Sequence, residues 1–318
     1  MKKKIFVSIL VFYFGLAMMN CGNFQESIME ESETMEIQAN ILFFYYKNLD
    51  KAQKFYEDII GLEVVLDYGF AKVMKVSQTL FLGIVDEQKG MHRADEPKTV
   101  TLSFVTNEID EWYDYLVTQG VDMRGPVNDA SRHPTRGFVA YDPEGYFLEF
   151  ERFLDHPQNE LLLQKFSKTD VLYPLEGQKT SRPDNLGILG NVVWLYYNNL
   201  QRAELFYQNI LGFDLLVDQG FAKVYSSSPT AFVGLVDEAQ GLHRFSEEKS
   251  VTLSFISEQI ESWYNHMIEQ GLEIREPLSE SETIPVKAFV VYDIAGYFLE
   301  FDWFPEHEKN TKLLSLLK

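Results

Sequence analysis

Gly145-Tyr146-Phe147-Leu148-Glu149-Phe150 returns unchanged as Gly296-Tyr297-Phe298-Leu299-Glu300-Phe301. Working outward from that block, Phe70-Ala71-Lys72-Val73 recurs as Phe221-Ala222-Lys223-Val224. Val100-Thr101-Leu102-Ser103-Phe104 recurs as Val251-Thr252-Leu253-Ser254-Phe255. Aligned on these blocks, residues 40–153 and 191–304 match without a gap, at roughly 45% identity, too long a repeat for a solenoid unit and long enough for a whole domain. His156 matches His307 and Leu162-Leu163 matches Leu313-Leu314, which predicts a short amphipathic helix closing each copy.

Within one copy the hydrophobic period changes in a fixed order. Ile41 to Tyr46 is a short apolar and aromatic run, a buried strand. Asn48 is placed to cap a helix whose apolar positions Leu49, Ala52, Phe55, Ile59 and Ile60 share one face, with Gly61 as its stop. Strand-like stretches follow at Leu62–Leu66, Ala71–Val76 and Thr79–Val85. The order then begins again: a strand at Val100–Val105, a helix over Ile109–Val117 closed by Gly120, and strands near Val121–Arg124, Phe138–Tyr141 and Tyr146–Glu151. Each copy is thus two βαβββ units, and the chain holds four.

Composition sets the outer bounds. The chain has 318 residues, 46% hydrophobic and 14% aromatic, which gives each of two domains a core of its own. Its net charge is −20 and the folded part holds no basic cluster, so nucleic acid is excluded as an expected partner. Lys2, Lys3 and Lys4 precede an uncharged, mostly apolar run from Ile5 to Met19, and Cys21, the only cysteine, follows. That run is short for a membrane span. It resembles the bacterial lipoprotein export signal, which implies lipidation of Cys21 and an anchored, cell-envelope location; an uncleaved anchor or an ordinary signal are the alternatives. The expected organisation is a signal segment over 1–21, an acidic tether over 22–38, a domain over 39–154, a helix and linker over 155–187, a second domain over 188–305 and a terminal helix over 306–318.

Two further motifs carry a family resemblance. Asn48-Leu49-Asp50-Lys51-Ala52-Gln53-Lys54-Phe55-Tyr56 with Ile60-Gly61-Leu62-Glu63-Val64, and Asp142-Pro143-Glu144-Gly145 leading into the opening block, resemble the start and the closing strand of vicinal-oxygen-chelate (VOC) domains. Both recur in the second copy, at Asn199-Leu200 with Phe206-Tyr207 and Gly212-Phe213, and at Asp293-Ile294-Ala295-Gly296 with Glu300. The family includes glyoxalase I, extradiol dioxygenases, fosfomycin-modifying enzymes and the non-catalytic bleomycin-binding proteins. The resemblance implies an α+β fold, two tandem VOC domains each folding two βαβββ units into a half-open, barrel-like sheet around a cleft, with flanking helices, and the two domains packed together within the chain.

The resemblance also implies four metal-ligand positions per cleft. They fall on Ile41, Gly83, Val100 or Thr101, and Glu149 in the first copy, and on Val192, Gly234, Val251 or Thr252, and Glu300 in the second. A retained divalent metal needs at least three imidazole or carboxylate ligands. Only Glu149 and Glu300 qualify, so neither a metal nor another cofactor is expected. A buried carboxylate without a metal needs a different partner: the cationic or hydrogen-bonding part of a ligand, or an internal Arg or Lys. His92 and His243, in the crossover between units, are candidates at the cleft mouth, against the alternative of a solvated loop held by an Asp–Arg pair. Alternate aromatics of Phe43, Phe44, Tyr45 and Tyr46, and of Trp194, Tyr196 and Tyr197, must face the cleft, where Tyr45 and Tyr196 would meet a ligand; core packing is the favoured explanation for them. Asp142 and Asp293 read as turn residues, and His133 and His266 as surface residues.

Three functions remain open on this reading. One is a metal-free tandem VOC protein binding a small molecule in its clefts. The second is a metal-dependent lyase, isomerase or dioxygenase with a rearranged site, for instance Glu149 with His92. The third is a structural lipoprotein that binds another protein.

Overall fold

The computed structural model describes residues 35–128 and 134–318. The expected signal segment, Cys21, most of the tether and His133 lie outside the described residues. In the first copy β1 (Ala39–Tyr46) leads through α1 (Leu49–Lys54) to β2 (Glu63–Asp67), β3 (Ala71–Lys75) and β4 (Leu80–Asp86). Then come β5 (Val100–Val105), α2 (Ile109–Thr118), β6 (Thr135–Tyr141), β7 (Phe147–Phe153) and α3 (Glu160–Phe166). The second copy opens with β8 (Gly190–Tyr197), α4 (Leu200–Asn209), β9 (Asp214–Asp218), β10 (Ala222–Ser226) and β11 (Ala231–Asp237). It ends with β12 (Val251–Ile256), α5 (Ile260–Glu269), β13 (Ile274–Glu280), β14 (Lys287–Tyr292), β15 (Phe298–Trp303) and α6 (Thr311–Leu316).

Local chemistry sets the ends of the first helices. The Asn48 side chain accepts from the Lys51 N–H at 2.9 Å, satisfying one of the donors a helix start leaves free. Past Lys54 the coil widens into a π turn over Phe55–Ile59, and Gly61 ends it at φ +72°. Asn199 caps α4 in the same way, accepting from Arg202 N–H at 3.1 Å.

The strands form two mixed sheets, β13-β14-β15-β12-β1-β4-β3-β2 and β6-β7-β5-β8-β11-β10-β9. The α+β class and the open sheets agree with the sequence reading, with two differences. The strand expected at Val121–Arg124 is reduced to a single bridge, Met123 to Ala140, which leaves the second sheet with seven strands. Gly125 follows there, where the second copy has Glu276, and a glycine weakens a strand.

The second difference concerns which units share a sheet. The sequence reading has each copy close its own sheet, yet β1 pairs antiparallel with β12 of the second copy, Ala39 opposite Ile256 and Phe44 opposite Val251. Likewise β5 pairs with β8, Val105 opposite Gly190 and Val100 opposite Leu195. Strands β1 and β5 are buried on both faces, so each needs a neighbour on its free edge, and the copies supply one another's. Two tyrosines fasten the exchange. Tyr146 accepts from the Tyr45 N–H at 2.9 Å and donates to the Ser250 carbonyl at 2.6 Å. Its counterpart Tyr297 accepts from the Tyr196 N–H at 2.9 Å and donates to the Thr99 carbonyl at 2.7 Å.

Side-chain alternation then separates two faces. Leu42, Phe44 and Tyr46 enter one continuous core with Trp112, Phe150, Leu195, Tyr197 and Trp263. Phe44 stacks on Tyr146 with centroids 3.8 Å apart, a contact that contributes about 1 kcal/mol beyond its area. The opposite face of each sheet, carrying Ile41, Phe43 and Tyr45 or Val192, Trp194 and Tyr196, lines a cleft.

Candidate functional site

Each cleft draws on both copies. On the first sheet Phe43 stands beside Gly83 and Thr252, Ile41 beside Ser254, and Ser254 beside Glu300, all on the same face. On the second sheet Thr101 stands beside Trp194, Trp194 beside Gly234, and Ser103 beside Val192 and Glu149. The four ligand positions expected within one copy are therefore shared: Ile41 and Gly83 with Thr252 and Glu300, and Val192 and Gly234 with Thr101 and Glu149. The strand register selects Thr101 and Thr252 over Val100 and Val251, whose side chains enter the core.

The candidate residues regroup accordingly. Tyr45 and Glu300 line the first cleft, with His92 edge-on to Tyr45 at 5.0 Å. Tyr196 and Glu149 line the second, with His243 edge-on to Tyr196 at 4.9 Å. Glu149 and His92, paired in the rearranged-site reading, belong to different clefts, which corrects that pairing.

At the ligand positions the chemistry is not that of a metal site. A β-carbon on Gly83 would meet Phe43 Cδ1 at 2.1 Å, and one on Gly234 would meet Trp194 Cε3 at 2.0 Å. The aromatic ring takes the space a ligating side chain would need. Thr252 Oγ1 bonds the Tyr45 hydroxyl at 2.7 Å, and Thr101 Oγ1 bonds the Tyr196 hydroxyl at 2.8 Å. Ile41 and Val192 have no donor atom. With one carboxylate per cleft at these positions, the residues present do not fit a divalent ion. No group of three His, Cys, Asp or Glu suited to a metal occurs among the described residues.

Each expected glutamate has a neighbour that the sequence reading missed. Glu151 and Asp302 lie two residues beyond Glu149 and Glu300, on the same face of the strand, and both line the clefts. Glu151 accepts from Ser103 Oγ at 2.5 Å and from Trp194 Nε1 at 3.3 Å. Asp302 accepts from Ser254 Oγ at 2.6 Å, and Phe43, in the place of Trp194, offers no second donor. Burial raises all four carboxyls, Glu151 and Asp302 to about 7. For Glu149 and Glu300 the like charge of the neighbour adds to burial, while Arg124 and Arg275 pull the other way. Neighbouring carboxyls in a low-dielectric wall resist double ionisation, which holds all four in the protonated form to higher pH than free carboxyls. Among the described residues neither Glu149 nor Glu300 makes a salt bridge, so the internal Arg or Lys ion pair of the sequence reading is not formed there.

The histidines sit deeper than a cleft mouth. His92 is buried against Phe298, with centroids 4.2 Å apart, and its Nδ1 meets Glu96 Oε2 at 2.7 Å. His243 packs on Phe147 at 4.1 Å. The Nε2 atom of each is buried with no hydrogen-bond partner among the described residues. Burial lowers the pKa of both, His243 to about 4, so both are neutral near pH 7. The loop around them is not held by an Asp–Arg pair: Arg93 Nη1 donates to the Glu87 carbonyl at 2.6 Å, and Arg244 donates to the Glu238 carbonyl. Asp142 is more than a turn residue. Besides the N–H groups of Glu144 and Tyr146, it accepts from the Tyr46 and Tyr56 hydroxyls at 2.5 and 3.0 Å, deep in the core. Asp293 does the same with Tyr197 at 2.8 Å. His266, expected at the surface, is half-buried, with Nε2 on the Ile210 carbonyl at 2.9 Å.

The two clefts have volumes of about 200 and 190 Å³. Each is lined by aromatic rings (Phe43, Tyr45 and Phe70, or Trp194, Tyr196 and Phe221) and by a carboxyl pair. That arrangement can stack a flat apolar group while accepting hydrogen bonds or a positive charge at the carboxyls.

Residues 38–150 match the family model described as Glyoxalase/Bleomycin resistance protein/Dioxygenase superfamily. No curated protein matches the chain. Among solved structures the chain is similar to a proposed dioxygenase from Bacillus subtilis subsp. subtilis str. 168, at 13% identity and a TM-score of 0.61 over 86% of this chain and 87% of that one. It is also similar to glyoxalase I from Zea mays, at 15% identity and a TM-score of 0.58 over 89% and 95%. At these identities the likeness concerns the fold.

Proposed function

We propose that the protein is a metal-free tandem VOC protein that binds a small organic molecule in the clefts between its two copies, tethered in the cell envelope through a lipid on Cys21. The observation that supports the binding reading best is the packing of Phe43 on Gly83 and of Trp194 on Gly234. It converts two ligand positions of the superfamily into an aromatic wall while leaving an open cleft beside it. The remaining polar groups, Glu300 with Asp302 and Glu149 with Glu151, suit recognition of a positive or hydrogen-bond-donating group. A filled cleft would favour the structural-lipoprotein reading; the open volume beside the aromatic rings favours the small molecule.

The test is a screen of small molecules for those that raise the melting temperature of the full chain, since a ligand of the folded state stabilises it whatever its chemistry. A hit whose effect is lost in Glu149→Gln or Glu300→Gln supports the reading. Stoichiometric metal in the purified protein that disappears in those variants would overturn it in favour of a metal-dependent enzyme. The tether is read separately: Cys21→Ser should release the protein from the membrane fraction, and continued membrane association would point to an uncleaved anchor.

A further inference from the structure

The two clefts occupy equivalent places in the repeat but have different walls. Phe43, Tyr68, Met91 and Val286 of the first stand where the second has Trp194, Gln219, Leu242 and Thr135. At these positions the first wall is thus the more apolar and the second is interrupted by an amide and a hydroxyl; Lys89 lines the first where the second has Gln240. The carboxyl pairs differ in the same sense. In the second cleft the Trp194 indole N–H and the Ser103 hydroxyl both reach Glu151, so the protein supplies its own donors there. In the first cleft the ring over the glycine is a phenyl and the acid is one methylene shorter. Asp302 is as buried as Glu151 and each leaves one oxygen without a hydrogen-bond partner among the described residues, but the bonded oxygen of Glu151 receives two donors and that of Asp302 receives Ser254 alone. Arg275, whose charge acts on Glu300, does not line the cleft and is committed elsewhere: its guanidinium stacks on Phe298 at 4.5 Å and bonds Glu276 at 2.7 Å. The open face of Phe70 already takes a cation, the exposed Lys89 ammonium at 5.9 Å from the ring centre.

We infer that the clefts are not interchangeable: the one between β1–β4 and β12–β15 takes an apolar organic monocation, an aromatic or branched-alkyl ammonium whose charged end reaches Glu300 and Asp302, and the cleft of Glu149 does not. The inference rests on the reading of the clefts as ligand sites. A positive charge beside Glu300 and Asp302 favours their ionised form, so a cationic ligand supplies the counter-charge that their burial lacks. The apolar wall desolvates the rest of it, and an unfilled acceptor on a buried acid is where a donor from outside gains most.

The experiment is calorimetric titration of the full chain with N-methylquinolinium, beside the neutral isostere 2-methylnaphthalene. One cation per chain is expected. Affinity should fall at least about tenfold in Glu300→Gln, stay unchanged in Glu149→Gln, and fall again in Phe43→Trp/Asp302→Glu, which copies the second cleft's donor arrangement into the first. Circular dichroism of each variant checks that it is folded; if the double variant does not fold, Glu300→Gln against Glu149→Gln decides alone. Two equivalent cation sites, equal binding of the neutral isostere, or loss on Glu149→Gln would overturn the inference while leaving the clefts as ligand sites. Absence of quinolinium binding would overturn the ligand class, whereas the broader reading fails only if the thermal screen also finds no cleft-dependent ligand.

Discussion

Phe43 lies across Gly83 so closely that a β-carbon at residue 83 would stand 2.1 Å from the ring, and Trp194 covers Gly234 in the same way. The glycine is thus the partner of the ring: neither strand can gain volume at that point unless the other loses it. Gly83→Ala should destabilise the fold by about 1–3 kcal/mol through overpacking. Phe43→Ala should also destabilise it, by opening a void. Combined, the two should cost clearly less than their sum, because the new methyl fills space the ring has left. Urea unfolding of the three variants measures the coupling. Strict additivity would mean that the ring moves aside freely and is not set by the glycine.

The tyrosine clasps give a second prediction. Tyr146→Phe strips the Tyr45 N–H of its side-chain acceptor and the Ser250 carbonyl of a donor, both buried, and Tyr297→Phe does the same to Tyr196 and Thr99. Each should cost about 1–3 kcal/mol, and the two losses should be similar. A loss confined to one clasp, read from denaturant midpoints, would show that the two halves of the exchange are not equally fastened.

The carboxyl pairs predict a pH dependence of stability with a definite sign. Glu151 and Asp302 have folded pKa values of about 7, above the ordinary 4.5 and 3.8. Between those limits the folded state holds more protons than the unfolded one. Their contribution to stability is therefore intact below about pH 4 and declines as pH rises toward 7. Glu151→Gln and Asp302→Asn remove that decline. Relative to the parent, each variant should gain melting temperature between pH 4 and pH 8, on the order of a few degrees. A pH-independent difference would mean that the pair is not protonated in the folded protein.

These features differ in how far the sequence exposes them. The strand faces were legible, because alternation alone sends Phe44 and Tyr46 one way and Phe43 and Tyr45 the other. Glu149 and Glu300 were legible through the repeat. Glu151 and Asp302 were within reach of the same alternation, since i and i+2 share a face, but they stand outside the superfamily's ligand pattern and drew no notice. The pairing of β1 with β12 was not legible, for a physical reason. Strands β5 and β12 offer the same Val-Thr-Leu-Ser-Phe edge, so no side-chain pattern distinguishes a partner in the same copy from one in the other. The contact of Phe43 with Gly83 depends on the β1–β4 register, and a glycine read alone shows only a missing ligand.

That shared edge leads to a prediction about half the chain. A protein ending after α3 would keep β1 to β7 but lose β12 and β8, leaving the edges of β1 and β5 that those strands cover unpaired. A second molecule of the same half carries both missing strands in near-identical form: its β5 repeats β12, and its β1 resembles β8. The isolated first copy should therefore form a symmetric dimer in which β1 pairs with the partner's β5, rebuilding two equal clefts. Sedimentation equilibrium gives the oligomeric state. Substituting Leu102→Lys should return it to an unstable monomer, because Leu102 enters the core from the paired strand. A well-folded monomeric half would show that β1 can satisfy its edge within one copy, and that the exchange between copies follows from the linker alone.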